Sequence, residues 1–338
     1  MKQLLVLSVL LFTLTSNAQA DFGNVFAAGV DDAEKFTTDY LAPLSESAVY
    51  SFSNGWYNTG VAKPQGGFEI SIIGNITSHK DKEEKQTFIL DPATYENLDF
   101  STDTGVAKPV SSALGAIEGT TVFVEGEIAG FTVREEFELP AGLAAEDLDF
   151  LPSGFLQASV GVLNGTEIKA RFLPKLEYED AAIGLIGFGV QQDLTKLLFS
   201  EKEMPFAISA VVGYTTVNGE YDLTNASLLE GDNQRIDMEI STWAFNGVVA
   251  TNWKIINFYG GIGYITGTST TDLLGEYRVT RGPFSTETYV DPFSITEKVS
   301  GTVGTIGAKL KLGFFRLHAD YNIAEFNTLS AGVNFGFR

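Results

Sequence analysis

The segment LSAGVNFGFR puts Leu329, Ala331, Val333, Phe335 and Phe337 on one side of an extended chain. Ser330, Gly332, Asn334, Gly336 and Arg338 fall on the other. Successive strand side chains point to opposite faces, so this strand has one apolar face and one small or polar face. The same division recurs along the chain. Leu156, Ala158, Val160 and Val162 alternate with Gln157, Ser159 and Gly161. Ile168, Ala170 and Phe172 alternate with Glu167, Lys169 and Arg171. Phe315, Leu317, Ala319 and Tyr321 alternate with Arg316, His318 and Asp320, and further rows start at Phe68, Phe206 and Ile256. Each apolar row needs cover, from a second sheet or from lipid.

Connection lengths favour lipid. Short turns at Asn164-Gly165, near Trp253 and at Leu312-Gly313 alternate with long polar stretches at about 217–234 and 269–293. Short turns on one side and long loops on the other are the pattern of a membrane barrel. Tyr214, Trp253, Tyr264 and Tyr321 lie near strand ends, where interfacial aromatics sit. The expected fold is all-β: a transmembrane antiparallel up-and-down β-barrel of about 14 strands (12–16), with a short N-terminal helix. Nine strands are read between residues 155 and 338, and five before them near 47–57, 67–78, 85–91, 119–127 and 130–138. In 235–250 the apolar parity slips, as a bulge or a strand projecting beyond the membrane would cause. A soluble secreted β-sandwich is the alternative fold.

Residues 1–20 read as a cleaved secretory signal: a charged start, an apolar run from Leu4 to Leu14 and a small-residue site before Asp21. The expected domains are this signal, a helical or plug segment over 21–46, and the barrel over 47–338. Asp31 or Asp32 caps a helix whose apolar stripe is Ala33, Phe36, Tyr40 and Leu41 and which Pro43 ends. Phe36, Tyr40 and Leu41 are the plug candidates, in the lumen or at the periplasmic rim. A second helix is expected at Asp193–Phe199. TGVAKP occurs at Thr59–Pro64 and again at Thr104–Pro109, both in stretches read as external loops.

With no cysteine, the chain has no disulfide framework and no thiolate metal site. The formal charge of −21 argues against a nucleic-acid partner. No metal motif and no phosphate-binding glycine loop is present, and the strand glycines 184, 187, 189, 260, 261 and 263 read as thinning the wall. His79 reads as a solvated turn residue. His318 has no nucleophile beside it, so no catalytic residue, metal or cofactor is expected. Glu167, Lys169, Arg171, Arg316, His318 and Asp320 are the lumen-lining candidates, read as salt-bridged ladders.

Several segments resemble a family of secreted Bacteroidota proteins of uncharacterised function: Val30-Asp31-Asp32-Ala33, Tyr40-Leu41-Ala42-Pro43, Asn54-Gly55-Trp56-Tyr57-Asn58-Thr59, Arg171-Phe172-Leu173-Pro174-Lys175, Ile186 to Val190, and Val212-Gly213-Tyr214-Thr215. The resemblance spans nearly all of the chain after residue 20 and implies an outer-membrane β-barrel. A more distant likeness is to the fatty-acid transport barrels, whose Asn-Pro-Ala start is replaced here by Asp21-Phe22-Gly23-Asn24. Two functions follow: a passive channel or transporter for hydrophobic compounds, or a structural or partner-binding barrel with a filled lumen. An enzyme in the barrel wall is a third, weaker reading. The expected location is the outer membrane of a Gram-negative bacterium. The expected partners are outer-membrane lipid, the barrel insertion machinery, which reads an aromatic C-terminal strand, and a small hydrophobic ligand.

Overall fold

A computed structural model describes residues 25–79, 82–128, 131–198, 204–223, 230–280 and 286–337. The leader read at residues 1–20 lies outside them. A 24-residue helix, α1 (Val30–Ser53), comes first. Strand β1 (Phe68–Ser78) follows, then five short strands, β2 (Thr87–Leu90), β3 (Leu98–Phe100), β4 (Lys108–Ser111), β5 (Thr121–Ile128) and β6 (Phe131–Glu138). The long strands are β7 (Phe150–Leu163), β8 (Thr166–Tyr178), β9 (Ala181–Asp193), β10 (Phe206–Asp222), β11 (Arg235–Thr251) and β12 (Ile256–Leu274). A hairpin of β13 (Glu276–Thr280) and β14 (Thr286–Val290) precedes β15 (Phe293–Leu312), β16 (Phe315–Ile323) and β17 (Thr328–Phe337).

Ten strands close into one antiparallel barrel in the order β1-β17-β16-β15-β12-β11-β10-β9-β8-β7, with β7 returning to β1. The expectation of about 14 strands is therefore corrected to ten. Strand β1 and nine of the strands from Phe150 on, all but β13 and β14, form the wall. The segments at 85–91, 119–127 and 130–138 are extended, but they pair in two small separate sheets, β2-β4 and β3-β5-β6. Residues 47–53, read as strand, are the last two turns of α1. There Tyr50 and Phe52 alternate with Ser51 and Ser53, which imitates a strand period. All four are buried, because the surrounding wall covers every side of the helix.

The wall has the two faces read from its sequence. Ile70, Ile72, Phe172, Phe188, Phe245, Val249, Phe258 and Ile306 are exposed outward. Tyr214 packs on Trp243 with ring centres 4.8 Å apart towards one edge of this apolar zone. Phe68 stacks on Phe337 at 5.7 Å, and Trp253 meets Phe258 at 6.0 Å, towards the other edge. The ladder between β10 and β11 runs unbroken from Phe206↔Thr251 to Asp222↔Arg235, so the parity slip in 235–250 is no bulge. The strand continues past the apolar zone. There its inner face becomes the apolar one, with Ile240 and Met238 packed in the core beside α1. The stretches read as long loops at 217–234 and 269–293 are for the same reason partly strand.

One end of the barrel carries the short turns. The helix expected at Asp193–Phe199 is found there as Leu194–Leu198, with Asp193 Oδ1 accepting from Lys196 N at 3.1 Å. The other end carries a cap with its own core. Val25, Phe26, Phe36 and Tyr40 pack there with Leu90, Leu98, Phe100, Val122, Phe137, Tyr277 and Phe293. Phe26 stacks on Tyr277 at 5.4 Å and on Phe293 at 5.8 Å. Asp32 accepts from Glu96 N and Asn97 N, both at 2.8 Å, which fastens the first turn of α1 to the cap. Burial raises the Tyr95 and Tyr277 phenols in this core.

Candidate functional site: the occupied lumen

Helix α1 does not stop at Pro43. Its first half belongs to the cap and its second half descends inside the barrel. Proline removes one helical hydrogen bond, and wall and cap contacts on either side of Pro43 hold the helix together. Ser45 Oγ meets Ser269 Oγ at 3.3 Å, Ser51 Oγ meets Ser153 Oγ at 2.9 Å, and Asn75 Nδ2 donates to Ser51 O at 3.0 Å. Residues 54–67 carry the chain on to the short-turn end, where β1 begins. Phe36 and Tyr40, the plug candidates, are instead cap residues: they stack on each other at 5.7 Å, and Tyr40 donates to Ala141 O at 2.6 Å. Leu41 packs partly buried against the same core. The cap therefore holds the helix start, which was expected in the lumen or at the periplasmic rim, and the later turns of α1 enter the lumen.

Arg171 receives the C-terminal end of α1. Its guanidinium donates to Phe52 O at 3.1 Å, to Asn54 O at 2.7 Å and to Gln157 Oε1 at 2.9 Å. Cations near a helix C-terminus are stabilised by its unpaired carbonyls and dipole. The same guanidinium is sandwiched, 3.6 Å from the Trp56 ring centre and 4.3 Å from that of Phe155. The other side of the Trp56 indole lies on bare backbone. A Cβ added at Gly189 would come within 2.7 Å of it, and one at Gly213 would also overlap it. Tyr57 lies in the same way against Gly261. Glycines 189 and 261 thin the wall so that the plug's aromatics fit.

Towards the short-turn end the filling becomes ionic. Glu69 on β1 accepts from Lys309 Nζ at 2.9 Å, from an Arg316 guanidinium nitrogen at 2.7 Å and from Asn58 Nδ2 at 3.0 Å. Glu167 accepts from Lys63 Nζ at 3.0 Å and from Lys63 N at 3.1 Å, and pairs with Lys169 at 3.1 Å. Lys309 also donates to Asn58 Oδ1 at 2.7 Å. Both carboxylates are about 1% exposed. Removing such charges from water costs several kcal/mol per ion unless partners replace the solvent. Here the partners bind the plug residues Asn58 and Lys63 to four wall strands, β1, β8, β15 and β16.

All six lumen-lining candidates face the interior, but they do not form two ladders. Glu167 and Lys169 pair, whereas Arg171 serves helix carbonyls. Arg316 pairs with Glu69 across the sheet. His318 Nδ1 lies 2.9 Å from Asn334 Nδ2, and Asp320 accepts from Tyr259 Oη and Asn322 Nδ2, both at 2.8 Å. His79 is a buried residue at the end of β1, where its N–H donates to Asp149 O at 3.0 Å. The two TGVAKP copies have different settings. Lys63 of the first is in the ion network, and Lys108 of the second, in the cap, pairs with Asp103 at 2.8 Å. Trp56, Tyr57, Asn58 and Lys63 were not among the expected functional residues. The inward glycines of β9, β10 and β12 were the available signal, since a wall that thin needs bulky occupants. Among the described residues, no group of three or more His, Cys, Asp or Glu side chains is placed to hold a metal ion.

The family model described as "Family of unknown function (DUF6588)" matches residues 1–337. The chain belongs to this family. No curated protein matches the sequence. Among solved structures, it is similar to Ail, the attachment invasion locus protein of Yersinia pestis, at 9% identity and a TM-score of 0.26, over 81% of this chain and 100% of that one. It is similar to the translocator domain of autotransporter NalP from Neisseria meningitidis at 10% identity and a TM-score of 0.30, over 94% and 99% of the two chains. A Pseudomonas aeruginosa FadL homologue is similar at 10% identity and a TM-score of 0.20, over 80% of this chain and 89% of that one.

Proposed function

We propose that the protein is an outer-membrane β-barrel closed by its own N-terminal segment, and that it works through the folded cap on its long-loop end as a structural or partner-binding barrel. The filling of the lumen carries this reading. Between α1 and the wall, a cavity lined by Leu44, Ala48, Phe52, Ile183, Val217 and Ile240 has a volume of about 50 Å3. Towards the short-turn end, Trp56, Arg171 and the Lys63–Glu167 and Lys309–Glu69 pairs occupy the interior, and all of them are buried. The outward apolar zone between aromatic edges supports insertion in a bilayer. The apolar run read as a leader at Leu4–Leu14, and the outward aromatics Phe335 and Phe337 on β17, support export and delivery to the outer membrane of a Gram-negative cell by the insertion machinery.

The test has two parts. Outer-membrane fractions run unboiled and boiled on a gel should give a fast band that slows on boiling. The purified protein in a planar bilayer should then stay electrically silent. Steady conductance of the intact chain would remove the closed-barrel reading and restore that of a channel for hydrophobic compounds.

A further inference from the structure

The short-turn mouth of the lumen holds more cations than carboxylates. Lys63, Lys169, Lys309 and Arg316 share two carboxylates, Glu69 and Glu167. Lys311 adds a fifth cation. It is the next inward residue of β15 after Lys309 and stands directly opposite Arg316 on β16. Like charges facing across a ladder repel. Arg316 turns away to Glu69 across bare backbone: a Cβ added at Gly336 would lie 2.8 Å from Arg316 Nη1 and 3.1 Å from Glu69 Oε2. Among the described residues, no carboxylate is left within ion-pair distance of the Lys311 ammonium. Unpaired polar atoms flank the same place. Asn257 on β12 and His318 on β16 both face inward directly opposite Lys309, one on each side of it. Asn257 is 0% exposed and His318 4%. Among the described residues, Asn257 Nδ2, Asn257 Oδ1 and His318 Nε2 have no hydrogen-bond partner. Asn334 Nδ2 donates to His318 Nδ1, so Nε2 carries the ring proton. Lys309 itself is satisfied, by Asn58 and both oxygens of Glu69.

We propose that this corner of the mouth, between β12, β15 and β16, binds one inorganic phosphate ion. Lys311 Nζ, Asn257 Nδ2 and His318 Nε2 donate to its oxygens, and Asn257 Oδ1 accepts from the hydroxyl of hydrogenphosphate. Arg316 and Lys309 add positive potential from behind. Three features argue for that occupant. The excess of cations calls for an anion, and a doubly charged one most strongly. The unpaired atoms are donors with one acceptor among them, which matches an oxyanion that keeps an O–H group. Sulfate has the same shape and charge but no hydroxyl near neutral pH. The corner lies inside the wall and is entered past Lys311, which is half-buried at the rim on a flexible four-carbon stem. A free ion can take that route, whereas the chains of a lipid head would have to stay on the outer face.

Inorganic phosphate is titrated calorimetrically into the full chain in detergent near neutral pH, with sulfate and dihexanoyl phosphatidic acid as comparisons. One phosphate should bind per chain, about tenfold tighter than sulfate, which leaves a buried acceptor unpaired. Lys311→Met and Asn257→Leu should each weaken phosphate binding by about tenfold or more. Lys311→Arg, which keeps the charge at the rim, should retain most of it. The fast band of each unboiled sample shows whether the variant is folded, and the two Lys311 variants test the site even where Asn257→Leu does not fold. The absence of saturable binding, equal affinity for sulfate, or an affinity unchanged in either folded variant would overturn the proposal. Tighter binding of the phosphatidic acid would overturn the free ion as the occupant and assign the corner to a lipid head.

Discussion

The guanidinium of Arg171 lies flat on the indole of Trp56, 3.6 Å from the ring centre, while it holds the last carbonyls of α1. One wall side chain therefore ends the plug helix and clamps the residue that follows it. Arg171→Met should lower stability by about 2–4 kcal/mol, since two buried carbonyls lose a charged donor and the ring loses a cation. Arg171→Lys should recover little, because a point charge cannot stack and fork together. Urea-dependent loss of the fast gel band measures both.

Gly213→Val should expel Trp56 from its seat. With Trp243 and Trp253 replaced by Phe, Trp56 is the sole tryptophan, and its emission should shift to the red as the indole reaches water. Unchanged emission would mean that the wall yields and the plug does not.

Glu69→Gln removes the carboxylate that Lys309, Arg316 and Asn58 share. Breaking a buried pair from one side typically costs about 3–5 kcal/mol, and salt should rescue little of it because the site is buried. Thermal shift at low and high salt reads both effects.

The chain has no cysteine, so single thiols report sidedness directly. Asp31 is exposed on the cap and Gln65 on the short-turn end. Asp31→Cys should react with an impermeant maleimide on intact cells. Gln65→Cys should react only after the outer membrane is opened. The reverse result would invert the orientation.

His79 gives the rim of the cap a pH dependence. Burial, its main influence, lowers the imidazole from 6.5, with Leu148 O and Asp149 opposing. The unfolded chain therefore takes up the proton first on acidification. The stabilising contribution is complete well above pH 6.5 and is lost as pH falls through that value towards the folded-state pKa. Denaturation midpoints from pH 8 to pH 5 should bend downward below about 6.5, and His79→Gln should flatten the bend.

The wall was legible because a strand with an apolar outer face imposes a rule at every second residue: Leu329 to Phe337 and Phe206 to Tyr214 obey it on that face without exception. The lumen obeys no such rule. A helix enclosed on all sides needs no polar face, so Tyr50, Ser51, Phe52 and Ser53 carried no helical stripe. Of the cap strands, β2, β5 and β6 were legible as strands but not as separate sheets, and the short β3, β4, β13 and β14 were not legible at all, since their pairing depends on the distant Phe36 and Tyr277. Glu167, Lys169 and Arg171 could be placed on the inner face, yet their partners Lys63, Phe52 and Asn54 lie more than 100 residues away in sequence.

The same separation sets an order of events. Asn58 bonds to Asn334 across 276 residues and to Lys309 across 251. During synthesis the leading segment is made first, and its partners arrive with the last three wall strands. In the shut ring β1 is bonded on both edges, to β7 and β17, with that segment inside. A chain truncated before β15 has no closed ring, and its Glu69 and Asn58 lack Lys309, Arg316 and Asn334.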